Sequence, residues 1–278
     1  MFGSMFLRSF FIQAGWNYER FQNLGFAFTL EPALRKIYPD PEKFRAALLR
    51  HLSLVNTQPY MASFVAGNMA GIEERAAASP DPEAALKTMP GVKQALASSF
   101  ASIGDRIFWG RLKPMTLQLC VLVWAAGGFY GWLFTGLGAD VSPWLLLAGP
   151  LAGIVFYSAF AVYWRRRGLE IGYSCGGSSS CGLACADWSR TIRLLSTAGF
   201  AMSLAIVLLA FSMLAAFNCG ACLEPGMLLK AGLAAGVMAL HRACRAFGRS
   251  IFFAAGLVLA GSLLFFSVLG WQPFRLYL

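Results

Sequence analysis

Long apolar runs in the second half of the chain constrain its fold more than any other feature. A helix needs about 20 consecutive, mostly apolar residues to cross the hydrocarbon core of a bilayer. Of the 278 residues, 58% are hydrophobic and only 13% are charged, roughly half the charged share of a soluble domain. The sequence therefore predicts an all-α integral membrane protein with about five transmembrane helices. We place them at residues 115–136, 143–164, 196–217, 226–241 and 250–270. The fourth is the shortest and contains Lys230, whose long side chain can reach the interface from near a helix end.

The first part of the chain, residues 1–114, contains most of the charged side chains. It is predicted to form an N-terminal helical region on the cytoplasmic side, before a transmembrane region at 115–278. The opening run, MFGSMFLRSFFIQ, lacks the long apolar core and small-residue cleavage site of a signal peptide. Its phenylalanines instead predict a short helix that lies in the membrane interface.

Within the N-terminal region, proline and glycine mark the helix boundaries. Residues 1–38 and 42–54 are predicted to be helical, with Pro32 near a helix start and a turn at residues 38–41. A further segment at 60–78 is rich in small residues but too short and glycine-broken to span the bilayer. It is predicted to be a re-entrant or buried helix, because such segments are tolerated only inside protein or beside a water-filled cavity. Residues 91–110 form a second segment of the same kind.

The distribution of basic residues predicts the orientation. Residues 1–114 contain thirteen Lys and Arg, and the loops after the second and fourth predicted spans bring the total to 21 of 23. Alternation of five spans puts these regions on one side of the membrane. The positive-inside rule then predicts a cytoplasmic N-terminus and Leu278 outside. The net charge of +10 needs no nucleic acid to explain it, and the basic patches can attract anionic lipid.

Two polar runs, WNYERFQNLGF at 16–26 and RHLSLVNTQPY at 50–60, combine amides, charges and aromatic rings. If the first run is helical, its amides and carboxylate cover one surface. Such groups can bond neighbouring hydroxyls, and aromatic faces can cover the C–H side of a sugar ring, with Trp16, Tyr60 and Trp109 as candidate stacking surfaces. The alternative is an amphipathic helix whose polar face meets water, with Glu19 paired to Arg20 or Arg50. The candidate substrate-binding residues are Asn17, Glu19, Gln22, Asn56, Gln58, Tyr60, Glu73, Asp105 and Trp109.

The cysteines do not form a recognisable metal centre. Cys175, Cys181 and Cys185 lie in a Gly/Ser-rich loop without a nearby fourth ligand, so a flexible loop with reduced thiols is predicted rather than a zinc site. Cys219 and Cys222 fall on the predicted outer side, where a disulfide can persist.

Motifs of enzymes are also missing from the sequence. It contains no phosphate-binding loop, zinc-protease helix or nucleophile elbow, and we predict neither a catalytic residue nor a cofactor. Of the two histidines, His51 follows Arg50 on a predicted helix and is interpreted as a structural hydrogen-bonding residue.

Several motifs in order resemble the IID component of the mannose/fructose/sorbose-family phosphotransferase system (PTS). They are LRSFFIQAGWNYERFQNLGFAF, PALRKIYP, ALLRHLSLVNTQPY, IEERAA and IGDRIFWGRLKP, which cover about residues 6–114. The resemblance implies a bacterial inner-membrane subunit that pairs with IIC to form a path for a mannose-type hexose. It also implies partner subunits IIA and IIB, which carry the phosphoryl group on His and Cys, and a IID subunit that is not itself phosphorylated.

The sequence departs from the family pattern in two places. Residues 96–102 read LASSFAS where the family has a Met-Gly-Pro-Leu-Ala-Gly segment, which removes backbone freedom at a predicted hairpin tip. The loop at 172–190 replaces a more ordered family segment with Cys, Gly and Ser. The alternative function is therefore a non-transporting membrane scaffold or regulatory subunit that retains the IID fold.

Overall fold

Helices form every element of regular secondary structure in the described part of the chain. The computed structural model describes residues 1–135, 143–175, 183–184, 186–217, 225–248 and 250–269. Its helices are α1 (Phe2–Ser9), α2 (Asn23–Ile37), α3 (Pro41–His51), α4 (Ala62–Ala77), α5 (Pro82–Leu86), α6 (Met89–Gly104), a π-helix (Asp105–Leu112), α7 (Lys113–Thr135), α8 (Pro143–Cys175), α9 (Trp188–Phe217), α10 (Pro225–Ala246) and α11 (Ile251–Leu269). The predicted all-α class is confirmed.

The chain divides into two compact units, Met1–Leu209 and Ala210–Leu278. The second unit contains the packed pair α10 and α11, between which Gly248 takes a positive φ of 68°. The first contains α1 to α8 and most of α9. The sequence analysis places a different boundary at residue 114, between the N-terminal helical region and the transmembrane region. That boundary stays a prediction.

Helix α4 is the centre of the first unit, where 13 of its 16 residues are buried. The predicted buried helix at 60–78 is therefore found. It packs most extensively on α8, and glycines permit the close approach: a Cβ on Gly172 would lie 2.2 Å from the Phe64 backbone oxygen, and one on Gly67 would lie 2.4 Å from that of Leu169. The small residues of the 60–78 segment thus permit close contact with the chain's own α8.

A turn region interrupts the helix that was predicted over residues 1–38. Helix α1 ends at Ser9 and α2 begins at Asn23, so the helical interpretation of residues 16–22 is wrong. The physical reason is local. Gly15 and Phe21 take positive φ values of 74° and 56°, and the Asn17 side-chain oxygen accepts a hydrogen bond from the Arg20 backbone N–H at 2.8 Å. Such side-chain bonds compete with helical ones.

Pro32 lies inside α2 rather than near a helix start. A proline cannot donate to the carbonyl four residues earlier, which here belongs to Phe28. The Arg8 guanidinium of α1 donates to that oxygen at 3.2 Å, so the carbonyl remains hydrogen-bonded.

Residues 96–102 are not a hairpin tip. They lie inside α6, which leads directly into the π-helix. The Gly and Pro that the family has here are absent, and Ala, Ser and Leu allow an uninterrupted helix.

A helix lies at each of the five predicted transmembrane positions, α7 to α11. Among the described residues, Leu147–Cys175 and Trp188–Ser212 are long and apolar enough to cross a membrane. The count of five spans stays a prediction. With its 33 residues, α8 is about 50 Å long, which exceeds the hydrocarbon thickness of about 30 Å. The C-terminal part of α8 packs on α4, because Leu169 and Gly172 of α8 contact Gly67 and Phe64 of α4.

Candidate functional site

The two polar runs lie against each other, and their amides make the contact. The Asn17 amide donates to the Asn23 side-chain oxygen at 2.9 Å, and the Asn23 amide donates to the Leu52 carbonyl at 2.9 Å. Gln22 bonds the Thr57 backbone at both ends of its amide: Nε2 donates to the carbonyl at 2.8 Å, and Oε1 accepts from the N–H at 3.1 Å. These side chains therefore hold the two runs together.

Backbone pairing strengthens the same junction. Phe21 forms a parallel bridge with Val55, and the Gln22 N–H donates to the Val55 carbonyl at 3.0 Å. Gln22 is 3% exposed and Thr57 is 4% exposed. Because both bonds of the Gln22 amide are shielded from water, this residue has a structural role in the isolated chain.

Replacing Gln22 should loosen the junction between the two runs. In Gln22→Ala the buried N–H and C=O of Thr57 lose their partners, and we expect a loss of about 1–3 kcal/mol of stability. Thermal unfolding of the purified protein measures this. Gln13→Ala is the matched control, since Gln13 is exposed. An unchanged Tm for Gln22→Ala would contradict the role of the junction.

Glu19 and Asn56 lie on the exposed side of the two runs. The Glu19 side chain is 82% exposed, and its only ion pair in the described residues is a loose one with Arg20 at 3.6 Å. The alternative pairing with Arg50 is wrong, because Arg50 contacts Glu73. Trp16, in the first run, is 43% exposed. A carboxylate, an amide and an aromatic face thus remain available to a ligand or partner.

Gln58 and Tyr60 lie deeper in the fold. Gln58 is 2% exposed; its Oε1 accepts from the Tyr60 N–H at 2.7 Å, and its Nε2 has no partner among the described residues. The half-buried Tyr60 ring lies 4.7 Å from the Phe108 ring and 5.0 Å from the Arg165 guanidinium carbon. Its faces are therefore already in contact with protein groups.

Glu73 is the centre of a buried polar cluster. Its carboxylate accepts from the Tyr38 hydroxyl at 2.9 Å, lies 2.8 Å from His51 Nε2, and lies 3.2 Å from Arg50 Nε. Glu73 and His51 are both fully buried. Burial raises the pKa of Tyr38, and the negative Glu73 raises it further. Burial lowers the pKa of His51 although Glu73 opposes this shift, so the ring is neutral and donates its Nε2–H.

Sequence reasoning missed Tyr38 and Lys93 in this region. The buried Lys93 ammonium donates to the His51 carbonyl at 3.2 Å and to the Ser53 hydroxyl at 2.9 Å, and burial lowers its pKa to about 8. The sequence did contain a signal for Lys93. It is a lone charge in an apolar segment, and a buried charge needs hydrogen-bonding or charged partners. The interpretation of His51 as a structural residue agrees with these contacts.

Asp105 and Trp109 form a separate pair on the π-helix. Burial raises the pKa of Asp105, and the nearby Trp109 indole partly offsets this shift. Trp109 is 44% exposed, and the Lys113 ammonium lies 4.9 Å from its ring centre. π-Helices are rare and frequent at functional sites. No contact in the described residues joins this pair to Glu19 or Asn56.

Most of the cysteines that the sequence analysis discusses lie outside the described residues. These include Cys181, Cys185, Cys219 and Cys222. Cys175 is disulfide-bonded, which corrects the expectation of reduced thiols at that residue. The described residues contain no group of three His, Cys, Asp or Glu side chains that could hold a metal ion.

The fold defines the class of protein before any comparison. The regular secondary structure of the described residues is helical, and Leu147–Cys175 and Trp188–Ser212 are long and apolar enough to cross a membrane, which defines an all-α integral membrane protein. A profile described as PTS system mannose/fructose/sorbose family IID component matches residues 1–221. The chain therefore belongs to the IID components of the mannose/fructose/sorbose PTS family.

Curated relatives agree with this assignment. The chain is 34% identical over 174 residues to the PTS system mannose-specific EIID component of Escherichia coli K12, covering 62% of this chain and 54% of that protein. It is 31% identical over 173 residues to the Fructose permease IID component of Bacillus subtilis, covering 62% and 56%. It is 32% identical over 174 residues to the sorbose-specific EIID component of Klebsiella pneumoniae, covering 62% and 56%. The chain thus spans about half the length of the curated relatives it matches.

Two solved structures resemble the chain. One is a chain of the complex described as "CryoEM Structure of Mannose Transporter ManYZ and Microcin E492 (MceA) complex", at 30% identity and a TM-score of 0.50. The other is described as "Structure of membrane protein", at 30% identity and a TM-score of 0.55. Each similarity covers 74% of this chain and 68% of the other.

Proposed function

We propose that the chain is the IID membrane subunit of a PTS sugar permease and that, with a IIC subunit, it forms the path for a hexose of the mannose type. One observation carries the proposal: the family match at residues 1–221 includes both interlocked polar runs and α7 to α9. Sugar uptake in the assembled complex, set out at the end of the Discussion, tests it.

We infer that the phosphoryl group travels on IIA and IIB rather than on this subunit. His51 is fully buried and bonded to Glu73, so a phosphocarrier protein cannot reach its ring without unfolding the cluster. This supports a non-catalytic role, in which the subunit binds and positions sugar while its partners perform the chemistry.

We propose that the exposed groups of the polar runs contact the sugar. Glu19 and Asn56 are the best candidates, because they are not engaged in holding the fold. Trp109 and Asp105 offer a stacking face and an acceptor elsewhere on the same unit. Asn17, Gln22 and Gln58 fix the conformation of the two runs through hydrogen bonds within the chain, and Glu73 stabilises the buried cluster of Tyr38, His51 and Arg50.

Glu19→Gln should weaken sugar binding while leaving assembly intact. The change keeps the shape but removes a charge-assisted hydrogen bond, which is worth roughly 1.5–3 kcal/mol, or about a ten- to hundredfold loss of affinity. The measurements are sugar binding and uptake in the complex, with co-purification of IIC. The control is Glu42→Gln, which removes an exposed carboxylate from α3. Unchanged uptake in both Glu19→Gln and Asn56→Ala would refute the sugar-contact assignment.

We propose a bacterial cytoplasmic membrane location, with the N-terminus in the cytoplasm and five spans. The clustering of basic residues supports this orientation. The parallel arrangement of α7 and α9 agrees with successive crossings by α7, α8 and α9. Arg111, just before α7, donates to the Ser196 hydroxyl and Gln118 donates to the Ser203 hydroxyl, so α7 and α9 advance in the same direction. A reporter fused at Gly248 should be active only in its cytoplasmic form; a periplasmic signal there would overturn the topology.

The second candidate function is a non-transporting scaffold or regulatory subunit. It is favoured by the use of Asn17, Gln22 and Gln58 in hydrogen bonds within the chain. It predicts that IIC co-purifies with the chain and that uptake does not depend on Glu19 or Asn56.

A further inference from the structure

A cavity of about 370 Å³ lies between α1 and the C-terminal part of α8. Two contacts hold these helices together beside it. The Phe2 ring lies 5.0 Å from the Tyr173 ring, and the Arg165 guanidinium donates to the Ser9 carbonyl, so α1 runs antiparallel to α8. Gly3 of α1 lines the cavity, and a Cβ there would meet nothing within 4 Å. The space is therefore open to a ligand.

The α8 wall of the cavity changes its chemistry from turn to turn. Val162, Arg166 and Glu170 all line the cavity. They are spaced four residues apart, so they lie on one face of the helix, each about 6 Å further along its axis than the last. Along this face the order is therefore an apolar side chain, a cation and an anion.

The two charged groups of this wall satisfy each other only weakly. Arg166 Nε lies 3.6 Å from Glu170 Oε1, which is too far for a hydrogen bond, and the Arg166 side chain is 75% exposed. The other carboxylate oxygen, Oε2, accepts from the Arg167 guanidinium at 3.0 Å. Hydrogen-bonding capacity thus remains at the Arg166 donors and at Glu170 Oε1. A ligand that carries an anion and an N–H cation in the same order would use both.

The same face of α8 continues as an exposed apolar surface in the direction away from the charges. Val155 and Leu151 precede Val162 by seven and eleven residues, or about 10 and 16 Å, and they are 65% and 56% exposed. They belong to the apolar part of a helix that is long enough to cross a membrane. Acyl chains therefore lie on the Val162 side of Arg166, and Glu170 lies on the side away from the hydrocarbon core.

We propose that this cavity binds the headgroup of a phospholipid with a primary ammonium, as in phosphatidylethanolamine. The phosphate lies against Arg166, the ammonium donates to Glu170 Oε1, and an acyl chain follows Val162 and Val155. In this headgroup two carbons separate the ammonium from a phosphate oxygen, and the ammonium lies farther from the acyl chains. Both the spacing and the order match one turn of α8. The site requires only that α8 enters the membrane, and it does not depend on sugar transport.

Lipid retention by the full chain, counted by native mass spectrometry, tests the proposal. The probes are phosphatidylethanolamine, phosphatidylcholine and phosphatidylglycerol. Phosphatidylethanolamine should be retained about tenfold better than phosphatidylcholine, whose quaternary ammonium has no N–H to donate, as for one hydrogen bond between partly exposed charged groups. Equal retention of these two lipids, or better retention of phosphatidylglycerol, would overturn the ammonium contact.

Two variants separate the two charges of the headgroup. Glu170→Gln should remove the preference for phosphatidylethanolamine over phosphatidylcholine. Arg166→Gln should lower retention of both lipids about tenfold, because both carry the phosphate. The control is Arg193→Gln, an exposed arginine of α9 that does not line the cavity. Equal retention in Arg166→Gln and Arg193→Gln would overturn the phosphate contact.

A variant that fills the cavity keeps the test decisive if the charge variants fold poorly. Gly3→Leu places a side chain in the open space and should exclude the lipid with little change in Tm. Gly91→Leu is the control, since a Cβ on Gly91 also meets nothing within 4 Å and Gly91 does not line the cavity. Normal retention in Gly3→Leu would place the lipid elsewhere and overturn the site.

Competition by millimolar phosphoethanolamine distinguishes a lipid from a soluble ligand with the same headgroup. The lipid should remain bound, because its acyl chain contributes to binding. Displacement by the free headgroup would show a soluble-ligand site and overturn the lipid assignment. None of these readouts involves sugar or IIC.

Discussion

Gly172→Ala is expected to destabilise the protein by about 3 kcal/mol, at the upper end of the range for overpacking. The added Cβ would lie 2.2 Å from the Phe64 backbone oxygen and 2.9 Å from the Asn68 backbone nitrogen. Backbone atoms in a packed helix cannot rotate away, so α4 and α8 must separate. For a chain of this size the loss corresponds to roughly 6–12 °C in Tm, measured by thermal unfolding in detergent.

Gly236→Ala is the matched control for the α4–α8 contact. Gly236 also lies in a helix, and a Cβ there meets nothing within 4 Å. Alanine is the better helix former, so this variant should be neutral or slightly stabilised. Equal Tm values for the two variants would mean that α4 and α8 do not approach as closely as the structure has them.

The second large effect is expected at Glu73. Glu73→Gln removes the negative charge that the buried cluster is built around, leaving Arg50 and the Tyr38 hydroxyl with a neutral partner. Breaking a buried charge pair from one side costs about 3–5 kcal/mol, and we expect the lower end because the Arg50 side chain is 30% exposed. Thermal unfolding again measures the loss, with Glu42→Gln as the exposed control.

The same variant decides between two roles for Glu73. If the carboxylate is structural, Tm falls and sugar affinity in the surviving folded protein is unchanged. Normal stability together with lost sugar binding would instead make Glu73 a direct sugar contact and the cluster a secondary feature.

The coarse fold could be predicted because burial in lipid leaves a strong signal. Runs of about 20 apolar residues locate α7 to α11, although α8 ends 11 residues after its predicted span and α9 begins 8 residues before its own. Small residues correctly mark α4 as a helix that packs closely. The partner of α4 could not be read in the same way. The close approach requires Gly168 and Gly172 on α8, about a hundred residues away, and spacing within α4 carries no information about them.

The polar runs show where pattern reasoning fails. A helical interpretation of residues 16–22 follows from composition, yet the backbone forms a turn in which Asn17 bonds Arg20 and Gln22 bonds Thr57. Side chains with two donors and two acceptors suit a sugar and a protein backbone equally well. The sequence therefore could not predict which amides hold the two runs together and which face outward.

For the buried cluster around Glu73, the sequence predicts that the carboxylate needs partners but not which residues they are. A carboxylate in an apolar segment must find partners, so its burial with a cation is foreseeable. The identity of those partners depends on tertiary packing, because Tyr38 lies 35 residues from Glu73 and His51 lies 22 residues away.

Accumulation of phosphorylated sugar in cells tests the central claim most directly. Cells that lack their own mannose-family IID subunit would express IIA, IIB and the cognate IIC, with or without this chain, and receive labelled mannose. The account predicts that labelled sugar phosphate accumulates only when the chain is present and that IIC co-purifies with it. Co-purification of IIC without accumulation of any labelled hexose would contradict a permease subunit and identify the chain as a scaffold.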